Sequence, residues 1–166
     1  MYPYPQQLEM PLDNCNENKL PAKRVNIVSL KIVRESSLLY PERVIRSPLD
    51  AVKLLQSFLQ DADREYFIVV CLDTKNQVNS ITTSHIGTLN ASIVHPRECF
   101  KTALLSNAAT ILIAHNHPSG SATPSPEDIT ITKRLCKVGE ILGIELLDHI
   151  IIADTDYCSL KEKNYI

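Results

Sequence analysis

The sequence predicts an α/β protein, a three-layer sandwich around a mixed sheet, and three observations carry that expectation. Apolar runs of strand length alternate along the chain with segments of helical spacing. Two of those runs, residues 65–72 and 109–114, are nearly continuous, as in strands covered on both faces. The chain has 166 residues, 44% hydrophobic and 22% charged, which suits one sizeable core and hardly two.

The elements follow in order. Residues 1–24 are polar, proline-containing and without periodicity, and read as a flexible arm ahead of a domain over 25–166. Val28, Leu30 and Ile32 alternate with Ser29, Lys31 and nearby Arg34, the pattern of a half-buried strand. Ser47-Pro-Leu-Asp50 reads as a helix start: a hydroxyl N-cap, proline at the first helical position, then an acid. Ala51, Leu54, Leu55, Phe58 and Leu59 recur behind it at helical spacing. Residues 65–72 form a buried strand, Asp73-Thr-Lys-Asn76 a turn, and 77–85 a returning neighbour.

Pro96 opens a second helix reaching about residue 107, with Cys99, Phe100, Ala103 and Leu104 inward. The strand over 109–114 runs straight into His115-Asn-His-Pro-Ser-Gly120. A third helix begins at Ser125-Pro-Glu-Asp128, carries Ile131, Leu135, Val138 and Leu142 on one face, and meets Gly143 where a helix C′ residue is expected. Residues 144–153 are the last strand, interrupted by Asp148-His149.

Composition excludes several classes. Seventeen basic residues against nineteen acidic give a net charge of −2, without the positive excess of a protein that grips phosphate backbones. No apolar run approaches the ~18 residues needed to span a bilayer, and the opening residues lack the basic and apolar segments of a signal peptide. Five cysteines, at 15, 71, 99, 136 and 158, are odd in number and include no Cys-x-x-Cys pair. They fit reduced, buried thiols in a cytoplasmic protein better than disulfides or a cysteine zinc site. A nucleotide deaminase needs His-x-Glu with a later Pro-Cys-x-x-Cys, so that class is set aside too.

The chemistry lies in residues 115–128. Two histidines at i and i+2 of extended chain, His115 and His117, project to the same side at the end of a buried strand. A Pro/Ser/Gly turn brings the chain back, and Asp128 in the first turn of the next helix can reach the same spot. Two imidazoles and one carboxylate leave a fourth position open on a tetrahedral zinc, the arrangement of a catalytic site rather than a structural one. Each part also has a plain reading. Ser125-Pro-Glu-Asp128 is a helix cap in the same form as Ser47-Pro-Leu-Asp50, and a His-x-His pair alone is a weak signal. His149 reads as a hydrogen-bonded core histidine, with Asp148 a candidate to fix an imidazole tautomer from the outer shell. His85 and His95 read as surface residues or as lining for a groove.

His-x-His, seven residues, Ser, two residues, Asp resembles the JAMM (JAB/MPN) metalloprotease signature. The strings Gly87-Thr-Leu-Asn90, His95-Pro-Arg-Glu98, His115-Asn-His-Pro-Ser-Gly120 and Leu147-Asp-His-Ile150 are similar to its bacterial RadC-like branch, over roughly residues 25–160. The resemblance implies a cytidine-deaminase-like α/β/α sandwich holding one zinc by His115, His117 and Asp128. It implies Ser125 as the hydroxyl that steadies an oxyanion, and an upstream glutamate as general base acting on a zinc-activated water. Glu65 fits that position, with Glu98 the rival. The function implied is hydrolysis of a peptide or isopeptide bond in a peptide or protein substrate. The alternatives are a DNA-repair accessory acting through partners, since RadC-like chains carry that label, or a zinc-holding scaffold without catalysis. The first 24 residues contain no glycine for the turn of the helix-hairpin-helix region found in longer relatives.

Overall fold

The sheet is organised by two strands whose interiors are almost wholly apolar. A computed structural model describes residues 24–41, 44–59, 62–87 and 94–166 of the chain. Its elements are α1 (Pro48–Leu59), β1 (Tyr66–Leu72), β2 (Val78–Ile86), α2 (Pro96–Leu105), β3 (Thr110–Asn116), α3 (Pro126–Leu142), β4 (Glu145–Ile152) and β5 (Tyr157–Ser159). The strands run in the order β2-β1-β3-β4-β5. Only β3 and β4 are parallel, joined by the α3 crossover, so the sheet is mixed as expected.

Period-two alternation divides the central strands between two cores. Phe67, Val69, Cys71, Ile111 and Ile113 point to the side of α2 and α3, where they meet Phe100, Ala103, Ile131 and Leu135. Ile68, Val70, Leu72, Leu112 and Ala114 point to the side of α1 and meet Ala51, Val52, Leu54 and Leu55. Helices on both faces of one sheet make the α/β/α sandwich. No helix among the described residues is long and apolar enough to cross a membrane.

Local chemistry sets the helix ends. Ser47 Oγ accepts from the Asp50 backbone N–H, and Asp50 Oδ2 accepts from the backbone N–H groups of Ser47 and Arg46. At the far end of α3, Gly143 takes φ 68°, and the Ile144 N–H closes on the Gly139 carbonyl at 3.0 Å. Gly139 makes that closure possible, because a Cβ built there would lie 2.5 Å from the Ile144 carbonyl oxygen and 3.4 Å from the Phe100 ring. Gly139→Ala is therefore expected to destabilise the domain by about 1–3 kcal/mol. Urea unfolding should show a lower midpoint at unchanged slope; a wild-type midpoint would mean that the helix end can shift away without loss.

Three expectations need correction. Leu104 and Leu142, read as inward-facing, are 54% and 40% exposed, because each lies near the end of its helix beyond the part that covers the sheet. The half-buried strand over Val28, Leu30 and Ile32 does not form: residues 24–40 carry no regular structure, and those three side chains are 79%, 75% and 53% exposed. Alternation defines two faces, but a strand also needs a neighbour for its N–H and C=O groups. Among the described residues the chain first meets the sheet at the single bridge Val44↔Gln77. Conversely, β5 has no counterpart in the sequence reading, since three residues are too few for a period to show. The arm over residues 1–23, with Cys15, lies outside the described residues, as does Thr88-Leu89-Asn90 of the Gly87 string.

Candidate metal centre

Strand β3 continues through His115 and Asn116 to the edge of the sheet, and the His117 N–H still reaches the Ile152 carbonyl at 2.8 Å. Both histidines are therefore held by sheet hydrogen bonding rather than by a free loop. The chain then turns at Gly120, whose φ of 80° lets its N–H bond the His117 carbonyl at 3.1 Å. Pro126 and the Ser125 cap start α3 so that Asp128, at its third position, faces the strand end.

Three ligand atoms converge there, one each from His115, His117 and Asp128, all within 4.8 Å of one another. His115 is fully buried, Asp128 nearly so, and the His117 side chain is 16% exposed, which leaves the group open on one side. The two Nε2 atoms lie 2.8 Å apart. Asp128 Oδ1 is 3.3 Å from His115 Nε2, and Oδ2 is 3.7 Å from His117 Nε2. The Asp128 oxygens are not equivalent. Oδ2 accepts the Ser125 N–H at 2.8 Å and the Ser125 hydroxyl at 2.6 Å, while the Ser125 Oγ accepts the Asp128 N–H in return. Oδ1 keeps its lone pairs for the histidine side. Capping and ligand placement thus coincide in one motif. His117 Nδ1 lies 2.7 Å from the Ser121 carbonyl, which can only accept, so Nδ1 carries the proton and Nε2 offers a lone pair. Two imidazole nitrogens and a carboxylate oxygen around one point suit a zinc ion in donor chemistry and in number.

Burial favours the neutral forms of His115 and His149. Burial pushes His115 down to about 4 against the opposing pull of the Asp128 carboxylate, and burial drives His149 well below the ordinary histidine value.

The other candidates sort as follows. The pairing of β1 with β3 ends at Phe67 opposite His115, and Glu65 precedes that pair by two residues, just ahead of β1. The Glu65 carbonyl accepts the Gly87 N–H at 2.8 Å. Glu98 lies on the exposed first turn of α2, ion-paired to Arg97 and Lys101. His95 is the N-cap of α2, its Nδ1 accepting the Arg97 N–H. His85 pairs with Phe67 across β2 and is outside the ligand group. Cys71, Cys99, Cys136 and Cys158 are free thiols, with burial raising Cys99 to about 11.

Asp148 does not take the outer-shell role. Its Oδ1 accepts the N–H groups of His149 and Lys161 and its Oδ2 the Ser159 hydroxyl, so it ties β4 to β5, and burial raises its pKa. The partner of His115 is His149 itself, with Nε2 at 2.8 Å from His115 Nδ1. The cause is a bulge in β4. Ile111 pairs with Leu146 but Leu112 pairs with Asp148, so Leu147 is extra and every later residue changes face.

Asn116 is a residue that sequence reasoning passed over. Its side-chain oxygen accepts the Tyr66 N–H at 2.7 Å, and its amide donates to the Arg64 carbonyl at 2.8 Å. The side chain brackets Glu65, replacing the missing backbone ladder where β1 ends. Its place between two histidines is the signal the sequence offers for it.

A family model described as the RadC-like JAB domain matches residues 45–165, most of the chain. The chain belongs to that family. Its relatives include a UPF0758 protein of Desulforamulus reducens, 49% identical over 88% of this chain and 66% of the relative. A UPF0758 protein of Geobacillus sp. is 54% identical over 80% of this chain and 59% of its own length, and one of Shouchella clausii 53% over 81% and 58%. The RadC-like chain thus spans under two thirds of the length of these curated relatives.

Proposed function

We propose that this RadC-like domain is a zinc-dependent peptidase or isopeptidase. The observation that carries the reading is the convergence of two imidazole nitrogens and one carboxylate oxygen at the end of β3, beside the open position a tetrahedral ion would keep for substrate or water. Zinc held by His115, His117 and Asp128 supplies Lewis acidity toward a carbonyl and makes water more acidic. Glu65, just ahead of β1 and two residues before the Phe67–His115 pair, accepts the proton of the attacking water and returns it to the leaving amine. Asn116 holds the backbone on both sides of that glutamate. Ser125 donates its hydroxyl to the carbonyl oxygen as charge develops there. Its proton must first leave Asp128 Oδ2, and the Ser125 N–H then keeps that carboxylate oxygen in place.

The same hydroxyl contact is what favours the second reading, a zinc-holding scaffold, because a proton given to Asp128 is not aimed at a substrate. A direct grip on DNA finds no support in a net charge of −2. The reading is tested by metal analysis of the purified wild type and His117→Ala in parallel. About one zinc per chain is expected in the wild type and almost none in the variant. Glu65→Gln is expected to keep the zinc and to lose cleavage of any peptide or isopeptide substrate that the wild type cuts. Wild-type protein that takes up no zinc, even after zinc is added and the excess removed, sinks the reading. Zinc-loaded wild type that cleaves no better than Glu65→Gln leaves the scaffold.

A further inference from the structure

The buried polar groups behind His115 form a chain with one allowed direction. Thr132 and His149 are both fully buried on the side of α3 and β4, away from the open face of the metal centre. Thr132 Oγ1 lies 2.5 Å from the Asp128 carbonyl and 2.6 Å from His149 Nδ1, and His149 Nε2 lies 2.8 Å from His115 Nδ1. The Asp128 carbonyl can only accept, so the single Thr132 hydroxyl proton goes to it. Thr132 Oγ1 therefore meets His149 as an acceptor, and His149 Nδ1 must carry a proton. A neutral His149 then has a bare Nε2, which requires the proton of His115 to sit on Nδ1. The consequence falls at the other end: His115 Nε2 has no proton and directs a lone pair at His117 Nε2, 2.8 Å away. That atom also bears a lone pair, because His117 Nδ1 is spent on the Ser121 carbonyl. Two facing lone pairs repel, and a cation between them removes the repulsion.

We infer that Thr132 and His149 are positioning residues that lock His115 in its Nδ1–H tautomer, so that the fold presets both ring nitrogens as ligands before any metal arrives. The relay starts from the backbone of Asp128 and ends on His115, so the element that places one ligand also sets the tautomer of another. The inference deepens the zinc reading above, and its structural part stands apart from catalysis.

Nitrogen NMR of histidine-labelled, chelator-treated protein, recorded above the histidine titration range, reads the tautomers directly. His115, His149 and His117 are all expected as Nδ1–H, with Nε2 unprotonated. Zinc competition against a chromophoric chelator reads the consequence. Thr132→Val, which removes the acceptor for His149, is expected to weaken zinc binding about 10–100-fold and to mix the His115 tautomers. Thr132→Ser, which restores the hydroxyl, is expected to recover both. A wild-type spectrum with His115 protonated on Nε2 overturns the inference even if no variant folds. So does Thr132→Val with wild-type zinc affinity and wild-type tautomers. If the protein binds no zinc at all, the enzymatic reading fails while the spectrum still decides the relay.

Discussion

Phe67→Ala is expected to destabilise the domain by about 3–5 kcal/mol and to weaken zinc binding at the candidate metal centre at the same time. Phe67 is fully buried near the start of β1, where its neighbours across the sheet are His85 and His115. Its ring stacks on His115 with centroids 6.2 Å apart and planes 14° from parallel, and it meets His149 edge-on at 5.7 Å. Truncation removes apolar area from the core shared with α2 and α3, and leaves a cavity beside both imidazoles. Phe67→Leu keeps most of the volume and gives up mainly the ring contacts, about 0.5–1.5 kcal/mol. Urea unfolding of metal-free protein separates the two variants, and zinc competition on each shows whether the histidines have lost their support. An alanine variant within about 1 kcal/mol of wild type would mean that neighbouring side chains collapse into the space. A leucine variant with unchanged zinc affinity would confine the ring to a packing role.

What sequence could and could not disclose follows from how each feature is encoded. The candidate ligands were legible because their convergence depends on short-range geometry. Two-residue spacing in a strand puts His115 and His117 on one side, and a proline-led helix cap fixes Asp128 within its first turn. The covered strands were legible because burial on both faces leaves a continuous apolar run, as in β1 and β3. Residues 24–40 show the opposite case, in which alternation is present but pairing, a long-range property, is not.

The face of His149 was hidden for a different reason. Strict alternation from Leu146 would put Asp148 beside the ligands and turn His149 away. One extra residue at Leu147 reverses both, and nothing in the local sequence announces a bulge. Asn116 and Thr132 were missed because their roles lie in single side-chain hydrogen bonds to groups distant in sequence or one turn back. Such contacts carry no period.

The second large effect is a loss of stability on mild acidification of the metal-free protein. An unfolded histidine binds its proton near 6.5, whereas burial holds His115 at about 4 and His149 well below its ordinary value. Above pH 6.5 both states are neutral at these sites and neither residue contributes a slope. As the pH falls below 6.5, the unfolded chain takes up protons that the folded chain refuses, so unfolding is favoured progressively. Each unit of displacement corresponds to about 1.4 kcal/mol, so His115 alone accounts for about 3 kcal/mol lost between pH 6.5 and about 4. Asp148 works in the opposite sense: burial raises its pKa, so its protonation favours the folded state as the pH descends toward 3.8. The upper half of the window therefore gives the clearest slope. Urea midpoints of chelator-treated protein are expected to fall steadily from pH 7 to about 5. Zinc-loaded protein should start higher at pH 7, because the ion binds the folded ligands, and should lose that margin on acidification as protons compete for the imidazoles. A flat profile in the metal-free protein would mean that His115 and His149 accept protons without leaving the fold, so that the buried pair is open to water after all.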